Sequence, residues 1–105
     1  MTYVVIRDHQ ADDEIAAFGR YAADYSDRFA REQFARLERV FSFDLAQSPH
    51  VSSYFYLTGA PYCAYLFRVG RRTAYWIVYT VDDAARRVNV LRFWHASANP
   101  DAFEI

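Results

Sequence analysis

The stretch TAYWIVYTVDDAARRVNVLRFWH, residues 73–95, holds two runs of β-branched and aromatic residues, 74–81 and 88–94, on either side of the polar segment 82–87. A polar segment of that length between two such runs predicts an antiparallel hairpin. In the first run both parities are largely apolar, with Tyr75, Ile77, Tyr79 and Val81 alternating with Ala74, Trp76 and Val78. A strand apolar on both faces belongs inside a sheet, so residues 73–82 are expected to be its centre. The second run is less uniform. Strict alternation puts Asn89 and His95 on the face of Leu91 and Phe93, and sets Arg92 into the face of Val88, Val90 and Trp94. A polar group so placed faces either solvent or a site.

Upstream of the hairpin, residues 62–69 form a clear strand pattern, and Gly70, Arg71 and Arg72 link it to the central strand. Residues 51–57 are a shorter aromatic run that closes on a turn signal, Thr58, Gly59, Ala60 and Pro61. Before it, Phe29, Ala30, Phe34, Leu37, Val40, Phe41 and Leu45 recur at helical spacing behind the N-cap candidates Ser26 and Asp27, and Pro49 stops the helix. Arg28, Arg31, Arg36 and Arg39 with Glu32 and Glu38 read as its solvated face, with helix-spaced pairs such as Glu32 and Arg36. An earlier helix is predicted over residues 10–23 from Ala11, Ile15, Phe18 and Ala22. Asp12, Asp13 and Glu14 fall where the helix dipole favours negative charge. Residues 3–6 form a first short strand, and residues 96–105 an irregular end or short turn. The order β-α-α-β-β-β is that of an α+β fold, a helical hairpin packed on one face of a twisted antiparallel sheet.

With 105 residues, 53% of them hydrophobic, the chain is expected to form one domain, residues 1–105, whose core needs no staple. Cys63 has no partner for an internal disulfide, no apolar run approaches the ~20 residues of a membrane span, and the first residues lack a signal-peptide pattern. A cytoplasmic location, away from the membrane, is expected. All 12 basic residues are arginine and the net charge is −1. That balance argues against a surface given over to nucleic acid, while a local basic patch stays possible. Aromatic residues make up 19% of the chain, and some of those rings are expected to cover a partner. His9 and His50 have no metal-ligand spacing and there is no glycine-rich phosphate loop, so no cofactor is expected.

Three stretches meet a known pattern. ADDEIAAFGRYAAD, residues 11–24, has an alanine, an acidic residue and an aliphatic residue, then an aromatic and a tyrosine one turn apart. SDRFAREQFARLERVFSFDLAQSP, residues 26–49, is a long helix with a terminal proline. YLFRVGRRTAYWIVYTVDDAARRVNVLRFWH, residues 65–95, has an arginine-valine-glycine turn, a tyrosine-rich strand ending in paired aspartates, and a last strand closing on histidine. In this order and spacing they resemble the RelE/ParE superfamily of bacterial type II toxins, the plasmid stabilisation proteins, over nearly the whole chain. The resemblance implies a toxin that inhibits growth, held inactive by a cognate antitoxin whose flexible segment folds along it. RNA-cleaving members act without metal by in-line attack of a 2′-hydroxyl on the adjacent phosphate. That chemistry needs a proton acceptor, a proton donor and cations for the charged phosphorane. Here Trp76, within Tyr75-Trp76-Ile77-Val78-Tyr79, stands where the family's central-strand arginine is expected, and Ala96, Ser97, Ala98 and Asn99 follow the histidine where many members carry another. The missing cations favour the ParE-like branch, which by the resemblance binds DNA gyrase rather than cutting RNA.

His95 is the catalytic candidate, since an imidazole suits proton transfer near neutrality. A strand-terminal histidine bonded to a backbone carbonyl is the plainer reading. Arg68, Arg71, Arg72 and Arg92 are the candidates for target contact. Arg68 and Arg92 would lie on neighbouring strands, or simply face solvent or pair with Asp82 or Asp83. Cys63 beside His95 would make a nucleophile pair, although a free buried cysteine is commoner. Tyr54 and Tyr56, flanking Phe55, are the expected contact surface for an antitoxin or a second copy of the chain, with acidic partner residues near Arg68, Arg71 and Arg72. Three functions remain open. The favoured one is a non-enzymatic, ParE-like toxin. The others are a ribosome-dependent mRNA endonuclease of the RelE branch, using His95 with relocated arginines, and a family member that has lost toxicity and serves as a binding module.

Overall fold

The polar segment closes through its own side chains: the Asp82 carboxylate accepts from the Ala85 N–H at 3.0 Å, and Arg86 takes a φ of 52° to complete the turn. A computed structural model of the chain describes residues 2–50, 55–56 as backbone, 62–71 and 73–96. In it β1 (Val4–Arg7) leads to α1 (His9–Tyr25) and α2 (Asp27–Arg39), which continues through a π-helical turn, Val40–Asp44, into the single α-helical turn α3 (Leu45–Gln47). Four strands follow, β2 (Phe55–Tyr56), β3 (Cys63–Val69), β4 (Thr73–Asp82) and β5 (Arg87–His95). The sheet order is β1-β5-β4-β3-β2, so β4 is indeed central, with Trp76, Ile77, Val78 and Tyr79 buried on both faces. The α+β class and the hairpin of helices hold. β1, however, returns parallel to β5, which makes the sheet mixed rather than wholly antiparallel.

The register of β5 departs from strict alternation. Val78 lies opposite Arg92 but Tyr79 lies opposite Val90, so Leu91 is an extra residue, a β-bulge. The bulge moves Phe93 to the face of Val88 and Val90, and all three are buried against the helices. Phe93 and His95 therefore share a face with Tyr75 and Ile77, not with Asn89. A single inserted residue flips everything beyond it, and no composition signal announces one.

Phe18 of α1 is the aromatic hub of the helix-facing core. It meets Tyr75 edge-on at 5.0 Å, Phe93 at 5.4 Å and Phe67 at 6.3 Å, and each such buried ring contributes roughly 1.5–3 kcal/mol. Ser26 is the N-cap of α2, its hydroxyl accepting from the Phe29 N–H at 3.0 Å. The helices cross closely because position 19 is glycine: a Cβ there would stand 2.8 Å from Cζ of Phe34. On the solvated face of α2 the pairing is Arg28 with Glu32, and Arg36 donates to Gln33 rather than to Glu32. No helix among the described residues is long and apolar enough to cross a membrane.

Asp83 ties the first strand to the hairpin turn. It accepts from the Tyr3 hydroxyl and lies 3.0 Å from Nε2 of His50, and the Tyr3 bond first, then the His50 bond, hold its carboxyl below the usual carboxylate range. A carboxyl with a lowered folded pKa stabilises the fold above its unfolded value, ~3.9, and loses that contribution as pH falls through the folded value. Asp83→Asn is therefore expected to lower the melting temperature at pH 7, with the gap to the parent closing on acidification below about pH 4. A gap that stays constant across a series of melts from pH 7 to pH 3 would show that Asp83 is not the titrating group.

Candidate functional site

β3 ends at Val69, Gly70 turns the chain at a φ of 69°, and β5 closes on His95 directly opposite Tyr75. This end of the sheet gathers the imidazole and several phenols. The exposed His95 ring meets the edge of Tyr75 at 5.3 Å and 77°. Tyr75 in turn stacks on Phe93 at 4.6 Å. Burial, and next the nearby Tyr21, push the Tyr75 phenol up, which keeps it a neutral hydrogen-bonding group. An imidazole braced in this way can exchange protons, but phosphoryl chemistry also needs cations beside it.

Of the candidate arginines, Arg68 and Arg92 lie elsewhere. Arg68 is exposed on β3, and its register opposite Ala74 puts it on the side of Trp76, away from the helices and from the face of His95. It does not neighbour Arg92, because β4 runs between their strands. Arg92 pairs with neither Asp82 nor Asp83. Its Nε and Nη2 donate to the two Glu14 carboxylate oxygens at 3.0 and 2.9 Å, and its guanidinium lies 4.0 Å above the Trp94 ring. Glu14 also accepts from the Phe93 N–H at 3.1 Å, at the edge of β5 beyond the end of β1. The acid on the first helix thus takes over where the first strand stops. Arg71 is an exposed turn residue. Trp76, where the sequence resemblance leads one to expect an arginine, is buried on the sheet face opposite His95. Cys63 is buried opposite Tyr79, four residues along β4 from Tyr75, so at ~3.3 Å per residue about 13 Å separates its row from that of His95. They form no nucleophile pair. Tyr54 and Arg72 lie outside the described residues, as does the Tyr56 side chain. The Tyr56 backbone pairs with Cys63.

A second constellation escaped the sequence reading. Between the end of α2 and β3 opens a cleft of about 280 Å³, lined by Arg36, Arg39, Asp44, Tyr65, Phe67 and Arg68 among others. The Tyr65 hydroxyl donates to Asp44 at 3.2 Å, and burial first, then Asp44, raise its pKa. Arg36 and Arg39 are exposed, as a solvated face requires, and they line the cleft with Arg68, a residue distant in sequence whose side chain lies on the other face of the sheet. Their spacing of three on one helix was the only available signal, and surface arginines at that spacing are common.

A mixed sheet with a parallel edge strand and two helices on one face defines a RelE-like α+β fold. In agreement, the chain is similar in structure to a chain in the crystal structure of the toxin-antitoxin complex RelBE2 from Mycobacterium tuberculosis, with a TM-score of 0.58 and 20% identity, covering 90% of this chain and 99% of that one. At that identity the likeness is one of fold. No family model matches the chain, and neither does any curated protein.

Proposed function

We infer that the chain is the toxin of a toxin-antitoxin pair, ParE-like in acting by binding its target and not by cleaving RNA. The observation that carries the toxin reading is the fold shared with a chain of RelBE2 over almost the full length of both. DNA gyrase is the target that the family resemblance suggests, and a cognate antitoxin is the partner. The binding branch is favoured by the surroundings of His95: Trp76 stands where the resemblance leads one to expect an arginine, its ring on the other face, and Arg92 is held by Glu14. Arg68, Arg71 and Arg72 are the proposed target contacts, and Tyr54 and Tyr56 the proposed partner surface. A single domain acting in the cytoplasm completes the reading. The exposed His95 is what speaks for the alternative, the RelE-branch endonuclease.

Inducing the gene alone is expected to arrest growth and raise a DNA-damage response while transcripts stay intact, with His95→Ala equally toxic. Co-expression of a small acidic protein from the adjoining reading frame should restore growth. Codon-positioned cleavage on programmed ribosomes that vanishes in His95→Ala would overturn the binding branch, and unimpaired growth would overturn the toxin reading itself.

A further inference from the structure

β1 is the outer strand of the sheet, and its Val4 and Asp8 N–H groups donate to the Arg86 and Val90 carbonyls of the hairpin at 2.9 and 2.8 Å. Alternate residues of a strand turn their main-chain groups to opposite sides, so Val5 and Arg7 turn theirs outward. The Tyr3 N–H, also outward, donates to the Ala46 carbonyl at 2.7 Å, and at His9 the chain enters α1. Between these two stops the edge lies open: among the described residues nothing pairs with the outward groups of Val5 and Arg7. On the face away from the helices Val4 and Ile6 are 63% and 44% exposed. A proline, a bulge or a charge on that face would blunt such an edge, and residues 4–6 carry none of them.

On the helix side the edge borders a cleft of about 540 Å³, lined by Val5, Arg7, Asp12, Glu38, Phe41 and Ser42 among others. Arg7 pairs with Asp12 at 3.0 Å and lies over the Phe41 ring. Glu38 forms no ion pair among the described residues. A strand added here is therefore suited best by a cation on the helix side, for Glu38, and by an apolar neighbour on the far face, for Ile6. Ile6 and Arg7 of β1 itself have that order and those faces.

We propose that the chain forms a two-fold dimer by antiparallel pairing of β1 with β1 of a second copy. With Ile6 opposite Ile6, Val5 faces Arg7 of the other copy, and every outward N–H and C=O of both residues finds a partner. Arg7 of the second copy then stands beside Val5 on the helix side, in the cleft that holds Glu38, and its guanidinium has donors for both its own Asp12 and that Glu38. Tyr3, whose N–H is already taken, falls opposite His9, where the strand has ended, so the register asks nothing of either. The contact is short, and a dimer that dissociates in the micromolar range is expected. This pairing is independent of the toxin reading and lies at the opposite edge of the sheet from β2.

Sedimentation velocity of the full chain over a concentration series is the first measurement. The parent is expected to dimerise, and Ile6→Lys and Glu38→Arg each to weaken the dimer at least about tenfold, the first by setting two cations face to face, the second by opposing Arg7. Both positions are exposed, so unchanged melting of the variants separates a lost contact from a lost fold. The register has its own readout. A non-hydrogen-bonded pair brings Cα atoms to about 4.5 Å, within disulfide reach, so Ile6→Cys should cross-link under mild oxidation. Val4→Cys, more exposed but about 13 Å from its counterpart, should not. Cys63 is buried and stays out of the reaction. A parent that remains monomeric at ~500 μM, a dimer indifferent to both substitutions, or Val4→Cys cross-linking as readily as Ile6→Cys would each overturn the proposal.

Discussion

Ile77→Pro is expected to leave the chain without a cooperative unfolding transition. Ile77 is fully buried in the central strand, opposite Tyr65 on one side and Phe93 on the other. Proline removes the N–H bonded toward β3 and forces its ring against the neighbouring backbone, at a cost of ~3 kcal/mol or more by analogy with helix interiors. Losing the packed isoleucine adds roughly 1–3 kcal/mol. Together these approach the whole stability of a small domain, about 5–15 kcal/mol. Ile77→Val, which keeps the strand, should cost only about 1 kcal/mol. Far-UV circular dichroism during a thermal melt distinguishes the two, and a proline variant that still melts cooperatively near the parent temperature would show that β4 is not the centre of the sheet.

Glu14→Ala should be the most damaging change at a charged position. Glu14 and Arg92 are only 24% and 19% exposed, and the carboxylate holds both the guanidinium and the Phe93 N–H. Truncation takes the carboxylate fork from a largely buried cation and the acceptor from a strand amide, an expected loss of about 2–4 kcal/mol, which in a chain of this size lowers the melting temperature by roughly 10 °C or more. Adding Arg92→Leu to Glu14→Ala should restore part of that loss, because the cation that has lost its carboxylate goes with it. A coupling energy under about 0.5 kcal/mol in the double-mutant cycle would mean that the pair behaves as an ordinary surface ion pair.

The centre of the sheet, the helical hairpin, the hairpin turn and the two N-cap candidates Ser26 and Asp27 were legible, because each rests on residues adjacent in sequence; the structure chose Ser26. Local periodicity and local capping need no distant partner to be read. The candidate site was less accessible. His95 could be placed at a strand end from its position, but its neighbours depended on the bulge at Leu91. The cleft beside β3 is lined by residues 36, 39 and 68, which no local pattern connects.

What the sequence by itself determined, then, is the order of the main elements and the apolar face of each helix, since solvent transfer of side chains and backbone preference act residue by residue, whereas the faces of β5 were set by its bulge. Only the tertiary structure decided that β1 returns parallel beside β5, that Glu14 seals the strand edge beyond it and captures Arg92, and that residues of a helix and a strand line one cleft. These are long-range pairings of charge and hydrogen-bonding groups, and several partners were available to each along the chain. Arg92 could have met Asp82, Asp83 or Glu14, and packing alone selected among them.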